Sequence, residues 1–375
     1  MPGYLDHAAT APLRPEARAA MEPWLGSRYG NPSGAHDAAR RARRAVDDAR
    51  DQIAAALGRE PGEVVFTSGG TEADNLAVFG VHGARGGTVL CGATEHPAVG
   101  AAVERVGGHT VPVGRDGQVD LDALADAVDE HTALVSVMAV NNESGIIASL
   151  GQVIETVRAA NPDTLVHTDA VQAVCWTDII EHTRGADLVS ISAHKFGGPQ
   201  GVGALIAPEG LALAPMLVGG GQERDRRSGT HNVAGVVGAG AAIVATAATR
   251  LAEVARLGRL RDRLLDGLLG AIPQAVETTP DRNAVVAGTA HLCLPGIESE
   301  ALLFLLEQGG IQASAASSCA SGAQEPSHVL AAMGIEAATA GGSLRLSLGW
   351  TSTDADVELA LEIIPAACER LVLFA

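Results

Sequence analysis

Lysine is almost absent from this chain. Of its 26 basic residues one, Lys195, is a lysine and the others are arginines. Arginine stays protonated and cannot act as an amine nucleophile, whereas lysine can lose its proton and form a Schiff base. The position that kept lysine is therefore a candidate for amine chemistry. The alternative is a chance survivor of a GC-rich codon bias. Positive charge as a whole is also scarce. A net charge of −18 argues against nucleic acid as the main partner, because phosphate binding calls for a basic surface.

Other absences narrow the class further. No cationic, apolar leader opens the sequence, so no secretory signal is expected. The longest uncharged apolar run, residues 233–249, is just short of a membrane span and mostly Ala and Gly; it reads as a buried helix, with no membrane partner. The five cysteines (Cys91, Cys175, Cys293, Cys319 and Cys368) are scattered, odd in number and free of any CxxC pattern, and no HExxH occurs. Neither a metal site nor a disulfide framework is expected, and a cytoplasmic location fits. GVGALI and GAGAAI lack the third glycine of a dinucleotide fingerprint, which speaks against a Rossmann site.

What is present is a β/α rhythm. Between residues 38 and 210, apolar strand-like runs at 63–67, 88–91, 110–113, 133–140, 165–168, 188–192 and 203–207 alternate with helical stretches. That order predicts an α/β fold with a mostly parallel sheet covered by helices on both faces. After residue 250 the rhythm changes. A long amphipathic helix at 251–269, strands at 289–294 and 343–347 and a closing helix at 354–370 read as a smaller α/β domain. The expected division is 13–250 for the large domain, with 1–12 and 251–375 forming the small one.

Three motifs fall at strand ends. SGGTEADN, residues 68–75, has a tight Gly-Gly turn before a helix start, a natural phosphate site, and lacks the Walker lysine. Asp169 follows the strand at 165–168 in VHTDAVQ, and Lys195 follows the next one in SAHKFGG. Enzymes that use pyridoxal 5'-phosphate (PLP) need a lysine for the Schiff base, an acid for the pyridine nitrogen and a helix N-terminus for the phosphate. His96, just past a strand in TEHPAV, is either a helix cap or a proton-handling group beside the ring. Cys319 stands in a small, polar, loop-like run, ASAASSCASG, which suits an accessible nucleophile; the other cysteines have apolar or helical surroundings. Arg345 interrupts an apolar strand and calls for a carboxylate partner.

With YLDHAAT, GNPSGAH, VNNESG, GGGQERDRRSGT and EPSHVL added, the chain resembles the NifS/IscS-type cysteine desulfurases over nearly its whole length. These are PLP enzymes of the class V aminotransferase group with the fold type I architecture. The resemblance implies that Lys195 carries PLP, that Asp169 and Gln172 contact its ring, and that His96 stacks over it. It implies a phosphate site of Gly70, Thr71, Ser192 and His194, joined by Thr230 from a second subunit, and hence a homodimer. It further implies that Asn142 and Arg345 bind the carboxylate of L-cysteine. Cys319 would take the sulfur as a persulfide and pass it to an acceptor protein, a scaffold or a thiolation enzyme, for iron–sulfur cluster assembly or tRNA thiolation.

Three departures stand out. Ala316 replaces a glycine usual in the loop before Cys319, Ser144 replaces an aliphatic residue, and the tail that many relatives use for scaffold docking does not follow LVLFA. The rival readings are a selenocysteine lyase or cysteine sulfinate desulfinase, another class V aminotransferase or lyase, and a PLP-free partner scaffold.

Overall fold

The structure, a computed structural model, describes residues 3–315 and 327–374. Seven strands build the larger sheet: β1 (Val64–Thr67), β2 (Thr88–Gly92), β3 (His109–Val111), β4 (Thr132–Ser136), β5 (Leu165–Asp169), β6 (Leu188–Ser192) and β7 (Gly203–Ile206). They lie in the order β1-β7-β6-β5-β4-β2-β3. Strands β2 to β6 pair in parallel, as the β/α rhythm predicts. Every residue of β1, β5, β6 and β7 is buried, as expected for strands covered on both faces.

One strand breaks the parallel pattern. β7 runs antiparallel to both β6 and β1. A parallel crossover needs a dozen or more residues, usually a helix. The link from β6 to β7 holds only a single 3₁₀ turn, Ala193–Lys195, so the chain turns straight back. Lys195 sits in that turn.

A second sheet, β8 (Val276–Glu277), β9 (Thr289–Cys293) and β10 (Ser343–Ser347), is antiparallel in the order β10-β9-β8. It has its own core, in which Leu292, Leu294, Leu344 and Leu346 pack with Leu302, Leu306 and Ile364. Leu5 belongs to this core as well. The start of the chain therefore runs along the second sheet, with Asp6 bridging to Ser347.

The sequence rhythm suggests a break near residue 250. One helix of 39 residues, Val233–Ala271, runs through that point. Its first half lies against the helices Pro15–Leu25 and Asp37–Leu57, where a side chain at Gly238 would meet Met21 at 2.6 Å and one at Gly240 would meet Ala49 at 3.0 Å. Its second half supplies Leu257, Leu260, Leu264 and Leu268 to the core of the small sheet. By length and composition alone this helix could cross a membrane; the glycine-lined face instead packs on two neighbouring helices.

Candidate active site

The carboxyl ends of β1, β5 and β6 open onto one cavity of about 350 Å³. Gly70, Thr71, His96, Asn142, Asp169, Gln172, Ser192, His194, Lys195 and Arg345 all line it. Ten of the twelve residues singled out in the sequence thus converge on a single space, from motifs spread over more than two-thirds of the chain. Thr230 is exposed on its loop and does not line the cavity of its own chain. Cys319 and Ala316 lie outside the described residues.

Lys195 reaches back to the start of the chain. Its Nζ donates to the carbonyls of Ala8 at 2.5 Å and Ala9 at 2.9 Å. Burial lowers its pKa to about 8, Arg345 pushes the same way, and Asp169 and Asp6 oppose. A lysine so shifted has a substantial free-amine population at neutral to mildly alkaline pH. Gln172 Nε2 also donates to the Ala8 carbonyl, at 2.8 Å.

Asp169, the last residue of β5, is buried and accepts the Val171 amide at 2.8 Å. Burial raises its pKa, while the Val171 amide, His96 and Lys195 hold it down. His96 is the helix cap that its position suggested. Its Nδ1 accepts the Ala98 amide at 3.1 Å and caps the helix Pro97–Arg105, yet the ring borders the cavity. That bond places any ring proton of the neutral form on Nε2. Burial lowers the His96 pKa, and Lys195 and His328 lower it against the pull of Asp169.

The other end of the cavity is built to hold an anion. The helix Gly70–Arg85 begins there with no side-chain cap, so its first amides keep free donors and the positive end of the dipole. Thr71, Ser192 and His194 add donors around it. A side chain at Gly70 would come within 2.8 Å of Val171 and 3.5 Å of Ser192, so glycine keeps the cradle open. Opposite, Arg345 donates through Nη2 to Asp6 at 2.8 Å and through Nη1 to the Asn142 carbonyl at 2.7 Å. Among the described residues its buried Nε has no partner, on a side chain that borders the cavity. Asp6 is the carboxylate partner that the apolar strand called for.

The sequence reading missed a layer of acids beneath Asp169. Asp74 and Glu95 are buried, and among the described residues neither has an Arg or Lys partner. His167, on β5 two residues before Asp169, lies between Ser136 Oγ at 2.8 Å and Ser190 Oγ at 2.9 Å. Asp74 Oδ1 is 3.7 Å from its Nε2. Burial, reinforced by Asp169, pushes Asp74 and Glu95 well above the ordinary carboxyl range, and burial lowers His167 to about 3. Burial thus favours the uncharged form of all three, whereas Asp169 has Lys195 and His96 to favour its charge. The available signal was a charged residue on an otherwise apolar helix face, Asp74 beside Ala73, Leu76 and Ala77.

The family model for Aminotransferase class-V matches residues 3–360. The chain belongs to that family. Among relatives of this class-V chain, the IscS-like cysteine desulfurase of Mycobacterium tuberculosis (strain ATCC 25618 / H37Rv) is 44% identical over 98% of this chain and 96% of its own length. A solved NifS-like protein superposes with a TM-score of 0.92 at 34% identity, covering both chains completely. The structure of SspA in complex with cysteine matches with a TM-score of 0.80 at 27% identity, over 92% of this chain and 98% of that one. The large domain has the fold of these desulfurases, and its strand ends carry the cavity.

Proposed function

We propose that this chain is a PLP-dependent cysteine desulfurase: it converts L-cysteine to L-alanine and moves the sulfur to Cys319 as a persulfide. The observation that carries the reading is the convergence, in one cavity, of a single lysine, a buried acid, an uncapped helix start and an arginine with a free buried Nε. The donor set suits PLP. Lys195 would hold its aldehyde, Asp169 its ring nitrogen and Gln172 its ring hydroxyl. Gly70, Thr71, Ser192 and His194 would hold its phosphate, with Thr230 added from the second subunit of a homodimer. When bound, PLP supplies an electron sink for the bonds at Cα of an amino acid.

The protein's own groups then have distinct tasks. Arg345 and Asn142 bind and orient the substrate carboxylate, which fixes Cα toward Lys195. Lys195 Nζ, lowered to about 8, can take the Cα proton near neutral pH. Asp169 would face the ring nitrogen, its charge favoured by the Val171 amide, His96 and Lys195 against burial. His96 Nε2 is free to carry a proton. The Cys319 thiolate attacks the substrate sulfur: an S–S bond forms, the C–S bond breaks, and the carbon retains its electron pair and takes up a proton to give alanine. The persulfide then passes to a thiol on an acceptor protein in the cytoplasm, a scaffold or a thiolation enzyme.

The test is Cys319→Ala. Alanine production from L-cysteine should collapse while the visible absorbance of bound PLP persists. Sustained turnover in the variant would replace the persulfide route with a lyase reaction.

A further inference from the structure

Residues 219–230, the Gly- and Arg-rich run that carries Thr230, are fastened to the fold by Arg226, which donates to the Ala207, Pro208, Glu209 and Leu211 carbonyls, and by two carboxylate–arginine contacts. The first is buried. Glu223 accepts two bonds from Arg50 at 2.8 and 2.6 Å and the Phe66 amide at 2.8 Å, and lies 2.6 Å from His231 Nε2. Glu223, Arg224 and Asp225 have φ of 50°, 57° and 63°. This left-handed region is costly for residues other than glycine. The ion pair with Arg50 therefore secures a strained turn.

The second contact touches the anion cradle. Arg227 Nε donates to Glu72 Oε1 at 2.8 Å, and its Nη2 reaches Oε2 at 3.3 Å. The same Oε2 accepts the Ser68 amide at 2.7 Å. Glu72 is the one acidic residue in the first turn of Gly70–Arg85. Burial would raise its pKa, but Arg227 and Ser68 hold it below the ordinary value. It is a full negative charge at the helix start that is meant to receive a phosphate. Without Arg227, that charge would repel the ligand.

We propose that the Arg227–Glu72 ion pair joins the 219–230 loop to the cradle and cancels the cradle's own negative charge, making both side chains positioning residues for a phosphate monoester. This rests on the cofactor reading above. The experiment titrates apoprotein with PLP and, separately, with pyridoxal, which lacks the phosphate. The protein forms compared are unmutated, Arg227→Gln, Arg227→Lys, Glu72→Gln and the Arg227→Gln/Glu72→Gln double variant.

Arg227→Gln should weaken PLP binding about ten-fold and pyridoxal binding by less than about two-fold, the size expected of one charge interaction. Arg227→Lys, which keeps the charge, should retain most of the PLP affinity, and the double variant should bind PLP better than Arg227→Gln alone. Equal losses for PLP and pyridoxal, a Lys variant as weak as the Gln variant, or a double variant no better than Arg227→Gln would overturn the proposal. Unmutated protein that takes up neither aldehyde would sink the cofactor reading itself. Normal PLP uptake with no effect of Arg227→Gln would sink only the coupling.

Discussion

Asp6 and Arg345 meet at 2.8 Å, and that pair joins the start of the chain to the strand of the small sheet that borders the cavity. Arg345 also donates to the Asn142 carbonyl of the large domain, so one guanidinium spans three segments. Its buried Nε has no partner among the described residues. The pairing explains how an arginine can sit 5 % exposed in an apolar strand and still have a donor to offer.

Replacing Arg345 with Gln should raise KM for L-cysteine and lower kcat/KM by roughly 100-fold, since a charge-assisted carboxylate contact is lost. Affinity for PLP should change little. Steady-state kinetics alongside cofactor titration checks this; an unchanged KM would remove Arg345 from substrate binding.

Lys195 should react as an unusually acidic amine. Its lowered pKa of about 8 means that, in apoprotein, the rate of capture of an aldehyde should climb with pH and level off above about 8. An ordinary lysine would keep rising towards its usual value of 10.5. Stability follows the same sign. Between these two values the unfolded chain binds more protons at this site, so the contribution of Lys195 becomes more favourable as pH rises through the window. Stopped-flow reaction of apoprotein with PLP across pH measures the midpoint.

Asp74 should be a burden at neutral pH. Its pKa is raised in the folded protein, so the folded chain holds a proton that the unfolded chain releases, and stability falls as pH rises from the unfolded value. Asp74→Asn removes that dependence. Its melting temperature relative to unmutated protein should increase from pH 5 to pH 7.5. Calorimetry at the two pH values decides; a variant equally destabilised at both would mean that Asp74 is ionised and paired.

Glu223 should behave in the opposite sense. Burial would raise its pKa, but Arg50 and His231 bring it down to about 2. Its stabilisation is present above the unfolded value, near 4.5, and is lost as pH falls towards 2. Glu223→Gln leaves Arg50 buried without its counter-charge and should cost about 3–5 kcal/mol, read by denaturant unfolding at pH 7. A loss near zero would show the pair to be dispensable.

Much of this site was legible because its chemistry is written in local motifs. Lys195, Asp169 and His96 each follow a strand, and a strand end in an open α/β sheet is where ligands bind. Asp74, Glu95 and His167 were not legible in the same way. They come together only when β4, β5 and β6 lie side by side with the Gly70–Arg85 helix behind them, and no spacing in the sequence announces that. The antiparallel β7 was hidden because a short link and a crossover look alike in a hydrophobic pattern. The 39-residue helix was read as two because its Ala/Gly half and its Leu/Arg half carry different patterns, each suited to a different neighbour. Cys319, the sulfur acceptor in the proposed reaction, lies outside the described residues and stands on its motif.

The most direct measurement is a single turnover of PLP-loaded protein with L-cysteine, quenched and analysed for alanine and for the sulfur content of the Cys319 peptide. The account predicts one extra sulfur atom on Cys319 for each alanine formed. Alanine released with Cys319 unmodified, or extra sulfur carried on Cys91, Cys175, Cys293 or Cys368 instead, would contradict it.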